Sequence, residues 1–199
     1  MKTFLLFLAK MLGAFVFKIY FHLQVTGCHH FPKKGPFIVA ANHTSFLDPP
    51  LIGYICPRRL SYFARASLFR QTLFATLIRQ LGAFPAEREN GASSLRYALK
   101  LLLSGQPLLI FPEGTRSRDG RLAPAMPGVG FLAVQSAAPV VPVYIDGAYR
   151  AFPPGARWIK PVPIRIFVGR PVTFTGRNYQ AVGQEIINLI GQLSPRSQG

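Results

Sequence analysis

FIVAANHTSFLDPP, residues 37–50, is the stretch that decides how this chain folds. The apolar run Phe37–Ala41 ends abruptly at a polar cluster, Asn42-His43-Thr44-Ser45. A run this short and this apolar reads as a strand buried on both faces. Asp48-Pro49 then marks a helix start, because Asp is favoured at the cap and Pro at the first helical position. Strand, polar loop and helix in succession is the building unit of an α/β domain.

The same unit recurs outward from there. Short apolar runs at residues 60–64, 107–111, 140–145 and 164–168 read as further strands. Residues 67–80, 93–103, 129–136 and 178–193 carry helical spacing, and the last is apolar at Val182, Ile186, Leu189, Ile190 and Leu193. Trp158 to Pro163 reads as an edge loop. Buried strands separated by helices predict a mixed, largely parallel central sheet flanked by helices. Polar loops at the strand ends are then where a site belongs.

Two such loops carry chemistry. In the first, His43 is suited to act as a general base near neutral pH, and a carboxylate such as Asp48 would fix its tautomer and balance its charge. Five residues along a helix is about 140° around its axis, so the pair cannot meet on a continuous helix. They can meet if His43 lies in the loop and Asp48 opens the helix. A capping Asp48 beside a merely packed His43 fits the local sequence equally well. The second loop is Phe111-Pro112-Glu113-Gly114-Thr115-Arg116-Ser117, directly after a strand. Arg116 and Arg118 are forked donors suited to phosphate. Thr115 and Ser117 add hydroxyls, and Gly114 lets backbone N–H groups approach an anion. A solvated turn is the plainer reading of the same residues.

The chain has no Gly-x-Ser-x-Gly elbow, no Walker loop and no dinucleotide fingerprint. A His–Asp base without a protein nucleophile implies that the nucleophile belongs to the substrate. Cys28 and Cys56 form no CxxC pair, and Cys28-His29-His30 has no second cluster to complete a metal site, so no metal ligands and no cofactor are expected.

Composition adds a location. Lys and Arg number 23 against 7 acidic residues, a net charge of +16, while 49% of residues are hydrophobic. Such a charge attracts polyanions, either nucleic acid or anionic lipid. The basic residues are scattered, and no nucleic-acid-binding motif is present, so a membrane surface with anionic lipid is expected and nucleic acid is not. Residues 1–22 read as a helix broken by Lys10 and Lys18, which lie about 80° apart around its axis. A Lys at the centre of a spanning helix costs about 2.5–3.5 kcal/mol, which favours a helix lying in the interface. A tilted span and a helix docked on its own domain are the alternatives. The expected organisation is a membrane-anchoring helix over 1–24 and one domain over 25–199.

Asn42-His43 with Asp48, followed by Phe111–Ser117, resembles the motifs of the glycerolipid acyltransferases, in particular those acting on 1-acyl-sn-glycerol-3-phosphate. Two further blocks match in order: Gly82-Ala83-Phe84-Pro85-Ala86-Glu87-Arg88, and Val141-Pro142-Val143. The resemblance covers residues 25 to 175. It implies His43 and Asp48 as the catalytic pair, and Arg88, Glu113, Gly114, Thr115, Arg116 and Ser117 as substrate-binding residues. Arg88 and Arg116 would clamp the substrate phosphate. Glu113 would shape the loop, hydrogen-bond the glycerol or position Arg116. Where the family often has a Phe-Lys-x-Gly segment, this chain reads Ala125-Met126-Pro127-Gly128 and lacks that cation.

The implied reaction moves a fatty acyl group from acyl-CoA or acyl-carrier protein onto the sn-2 hydroxyl of a lysophospholipid acceptor, giving phosphatidic acid. The expected location is peripheral or monotopic, on the cytoplasmic face of the cell membrane. Another lysolipid or an aminolipid as acceptor, and a non-catalytic lipid-surface protein, are the alternative readings.

Overall fold

A computed structural model describes residues 15–70, 72–80, 82–86 and 91–195. The described strands are β1 (Gln24–Thr26), β2 (Ile38–Ala41), β3 (Ser61–Arg65), β4 (Ala83–Ala86), β5 (Leu108–Ile110), β6 (Val140–Asp146) and β7 (Arg165–Val168). They form one sheet in the order β1-β7-β6-β2-β5-β3-β4. Five of them, from β6 to β4 in that order, run parallel; β7 is antiparallel to β6, and β1 is parallel to β7. The helices are α1 (Asp48–Ile55), α2 (Thr72–Gln80), α3 (Gly91–Leu103), α4 (Pro127–Ser136), α5 (Ala148–Ala151) and α6 (Tyr179–Gln192). This is the mixed, largely parallel α/β sheet that the sequence predicts.

The alternation of side chains along each strand explains why the central strands are apolar throughout. On β2, Val39 and Ala41 enter one core layer with Leu51 and Ile52 of α1. Ile38 and Ala40 enter the other, with Leu102 of α3, Leu132 of α4 and Ile186 of α6. In the second layer α4 and α6 cross closely. A Cβ on Gly130 would stand 2.0 Å from the Tyr179 carbonyl oxygen, so only glycine permits the approach.

The first layer also receives the chain's N-terminal segment. One π-helical turn, Val16–Tyr20, buries Phe17, and Phe21 follows it into the core at 1% exposure. Phe17 packs on Tyr54 of α1 with centroids 5.1 Å apart. The opposite side of this turn leaves Phe15 and Ile19 exposed. The end of the expected 1–24 helix is therefore docked on the domain by one face only; residues 1–14 lie outside the described residues. Among the described residues no helix is long and apolar enough to cross a membrane.

Two strands are not expected from the sequence. β1 has no apolar run, and β4 carries Pro85, a residue that strands tolerate at an edge. β4 is the edge strand here, hydrogen-bonded only to β3 among the described residues. The helix expected over 67–80 divides into a 3₁₀ turn, Ala66–Phe69, and α2.

Candidate active site

The sheet brings the carboxyl ends of β2 and β5 side by side, and the two chemical loops leave from there. Asn42 fixes the first loop. Its buried amide donates to the Ile145 carbonyl at 3.0 Å and accepts from the Ile145 N–H at 2.7 Å, tying the end of β2 to β6. His43 comes next, and both of its backbone polar groups bind the second loop. Its N–H donates to Glu113 Oε1 at 2.8 Å, and its carbonyl accepts from the Ser117 N–H at 2.8 Å.

The imidazole of His43 lies 2.8 Å, through Nδ1, from Asp48 Oδ2. Oδ2 also accepts the N–H groups of Thr44 and Ser45, each at 2.7 Å. An oxygen facing that many donors is an acceptor, so the ring nitrogen beside it carries its proton. Nε2 is then left with the lone pair, the arrangement of a general base. Phe111 stacks on the ring at 3.9 Å between centroids and 16° between planes. The imidazole is thus held at one nitrogen and along one face. Asp48 is fully buried, while the His43 side chain keeps 18% of its surface exposed.

The sequence reading of Asp48 as the cap of α1 needs correction. Asp48 is the first residue of α1, Leu47 stands at the cap position, and no side chain caps that end. The Asp48 carboxylate turns back onto residues 43–45 instead. Pro49 and Pro50 follow within the first turn, and lacking N–H groups they reduce the donors a cap would satisfy.

The second loop divides its residues between scaffold and surface. Glu113 is buried, and its second oxygen accepts the Ala123 N–H at 3.0 Å. Burial pushes its carboxyl up from the ordinary range, partly offset by the two N–H groups it receives. Its carboxylate therefore laces the two loops together and meets the protein's own backbone. Gly114 adopts φ +69°, and an added Cβ would stand 2.4 Å from Met126 Sδ. Thr115 is exposed. The Arg116 guanidinium lies 3.5 Å over the ring of Phe46, from the first loop. Ser117 is buried, and its hydroxyl donates to Asp119 Oδ1 at 2.9 Å. The Arg121 N–H, and after it that hydroxyl, draw the Asp119 carboxyl below its usual value. Arg88 lies outside the described residues.

His43, Asp48, Glu113, Arg116 and Ser117 thus come together at one end of the sheet. Sequence reasoning missed the parts played by Asn42, Phe111 and Ser45, whose hydroxyl donates to the Phe152 carbonyl at 2.8 Å. Position at a strand's carboxyl end is the signal that would have drawn attention to Asn42 and Phe111. A separate cavity of about 600 Å³, lined by Arg58, Arg59, Arg79, Phe84 and Tyr97, lies at the amino ends of β3 and β4. It is at the far end of the strands from the dyad, and the geometry of His43 and Asp48 is the better guide to chemistry.

The hydroxyls of Ser45 and Ser117 donate to a carbonyl and a carboxylate, respectively. This arrangement suits an α/β enzyme whose nucleophile is brought in by the substrate. Residues 22–146 match the model of the Acyltransferase family, and the chain belongs to that family. It is 30% identical over 152 residues to a 1-acyl-sn-glycerol-3-phosphate acyltransferase of Bacillus subtilis, covering 75% of this chain and 73% of the other. A Limnanthes douglasii protein of the same name is 31% identical over 160 residues, covering 78% of this chain and 56% of its own length. Among solved structures, the 1-acyl-sn-glycerophosphate acyltransferase PlsC of Thermotoga maritima superposes with a TM-score of 0.80 at 28% identity, covering 94% of this chain and 78% of that one.

Proposed function

We propose that this chain transfers a fatty acyl group from acyl-CoA or acyl-carrier protein to the sn-2 hydroxyl of 1-acyl-glycerol-3-phosphate, forming phosphatidic acid for phospholipid biosynthesis. The observation that carries this reading is the His43 Nδ1–Asp48 Oδ2 bond of 2.8 Å, laced to the Arg116 loop through Glu113 and Ser117. The names of the relatives support the choice of acceptor.

Nε2 of His43 takes the acceptor's hydroxyl proton as its oxygen attacks the thioester carbonyl. The new C–O bond forms, the C–S bond breaks, and the departing thiolate recovers the proton from the imidazolium. Asp48 balances the imidazolium charge while it exists. Base assistance of this kind contributes about 10²–10⁴-fold. Arg116 and Arg88 hold the phosphate, Gly114 and Thr115 contribute loop N–H and hydroxyl donors, and Glu113 and Ser117 keep the Arg116 loop against His43.

The reaction takes place at the cytoplasmic face of the cell membrane, with the protein held peripherally or monotopically through residues 1–24. The +16 charge and the exposed Phe15 and Ile19 support that placement. The test is an acyl-transfer assay with both donor types against a panel of acceptors. Phosphatidic acid formed from lysophosphatidic acid in preference to other lysolipids and aminolipids supports the proposal. Preference for another acceptor overturns the substrate, and vesicle binding without any product overturns the reaction.

A further inference from the structure

Trp158 is the only tryptophan of the chain, and it is 81% exposed. It sits in the loop between α5 and β7, with Ile159 also exposed and basic Arg157 and Lys160 on either side. A domain that packs Phe21 and Phe37 to 1% and 0% exposure does not leave a tryptophan outside for want of apolar company. A large aromatic ring flanked by cations is suited to the headgroup layer of a bilayer, where its apolar body is buried and its N–H stays hydrated.

The loop is fixed to its neighbours. Tyr20 donates its hydroxyl to the Ile159 carbonyl at 2.9 Å, which joins the loop to the Val16–Tyr20 turn. On that turn Phe15 and Ile19 are exposed, four residues apart. In the other direction the Lys160 N–H donates to the Ala151 carbonyl at 2.9 Å, and the ring of the next residue, Phe152, lies 5.9 Å from that of Phe46. Phe46 is 52% exposed and lies under the Arg116 guanidinium. The exposed Phe15, Ile19, Trp158 and Phe46 therefore stand on segments that these contacts tie to one another, from the N-terminal turn to the dyad loop.

Charge selects the occupant. The exposed Arg150, Arg157 and Lys160 stand on this loop and the helix before it, and the exposed Lys18 on the N-terminal turn, while no acidic residue occurs in residues 15–47 or 147–184. An anionic bilayer offers the complementary charge and an apolar layer beneath it. We infer that the Arg157–Lys160 loop seats in the headgroup layer of an anionic membrane, with Trp158 as its aromatic anchor, so that the dyad loop opens at the depth of a lysolipid headgroup. The inference rests on the membrane placement proposed above and assigns the surface that makes the contact.

The lone tryptophan reports on its own environment. Full-length protein is mixed with vesicles of phosphatidylcholine and phosphatidylglycerol in equal parts, or of phosphatidylcholine alone, and followed by Trp emission and by sedimentation in parallel. The expected result with anionic vesicles is a blue shift, protection from acrylamide, and quenching by lipids brominated near the glycerol. Trp158→Ala is expected to weaken vesicle partitioning about tenfold, while acyl transfer to detergent-dispersed substrate stays at the wild-type rate. Sedimentation with vesicles while Trp158 remains as open to acrylamide as in buffer overturns the loop's role and leaves the membrane placement standing. Failure to sediment overturns that placement and the loop's role together. A blue shift that follows protein concentration without lipid identifies a second copy as the occupant and overturns the inference.

Discussion

Replacing Asp48 by Asn separates a catalytic carboxylate from a structural one. Oδ2 accepts three N–H groups at 2.7–2.8 Å, from His43, Thr44 and Ser45. An amide oxygen can take its place without moving the backbone, but each bond falls from a charge-assisted value of about 1.5–3 kcal/mol to a neutral one of about 0.5–1.5. Roughly 1 kcal/mol per bond gives a stability loss of about 3 kcal/mol. The amide nitrogen then stands where Oδ1 was, an atom with no hydrogen-bond partner among the described residues, so nothing described there offsets the loss. In a domain of this size each 1 kcal/mol lowers Tm by about 2–4 °C, so Tm falls by about 6–12 °C. Catalysis suffers separately, because the imidazolium formed during proton transfer loses its counter-charge. With the assay run well below the variant's Tm, kcat for phosphatidate formation falls about 10²–10⁴-fold. KM for the acceptor is nearly unchanged, since Asp48 is fully buried behind His43. A variant whose Tm falls as worked but whose kcat stays near wild type would refute the reasoning and leave Asp48 a structural residue.

Glu113→Gln sets an amide N–H against the backbone N–H of either His43 or Ala123, and the unmade bond lowers stability by about 1–3 kcal/mol, read by thermal melts. The fold raises the Glu113 carboxyl, so the folded state holds this proton more tightly than the unfolded chain. The corresponding stability is full below the ordinary glutamate range and is lost as pH rises through the raised value. The melting difference between wild type and Glu113→Gln should therefore shrink as pH increases across that interval. Gly114→Ala places a methyl group against Met126 at a φ of +69°, and it should lower activity with a stability cost of about 1–2 kcal/mol, partly relieved by also shortening Met126 to Ala. Arg116→Lys keeps the charge but loses both the fork and the stacking on Phe46, so KM for lysophosphatidic acid should rise at least tenfold while the Tm moves little.

Much of the fold is legible in the sequence because its central strands are buried on both faces. The runs at 37–41, 107–111 and 140–145 are apolar throughout for that reason. β1 and β4 escape notice because edge strands are not obliged to be apolar, and Pro85 weakens the signal further. In the site, the types of residue are legible and their relations are not. The five-residue interval between His43 and Asp48 permits a dyad or a cap, and only the backward turn of the Asp48 carboxylate decides between them. Glu113 reads locally as a polar residue in an anion loop. Its partner is the backbone of a residue 70 positions away, a pairing created by β2 and β5 lying side by side, which no local pattern encodes. Phe111 reads as the end of a strand, and its stacking on His43 follows from the same adjacency.

The measurement that bears most directly on the account is the rate of phosphatidic acid formation from 1-acyl-glycerol-3-phosphate by His43→Ala, beside wild type, with melting curves to confirm that both are folded. With His43 as the base, wild type forms the product and His43→Ala loses at least about 10²-fold in kcat at a temperature where both are folded. A folded His43→Ala that forms phosphatidic acid at close to the wild-type rate would contradict the central claim, because proton transfer would then not depend on the imidazole that the two loops are built to hold.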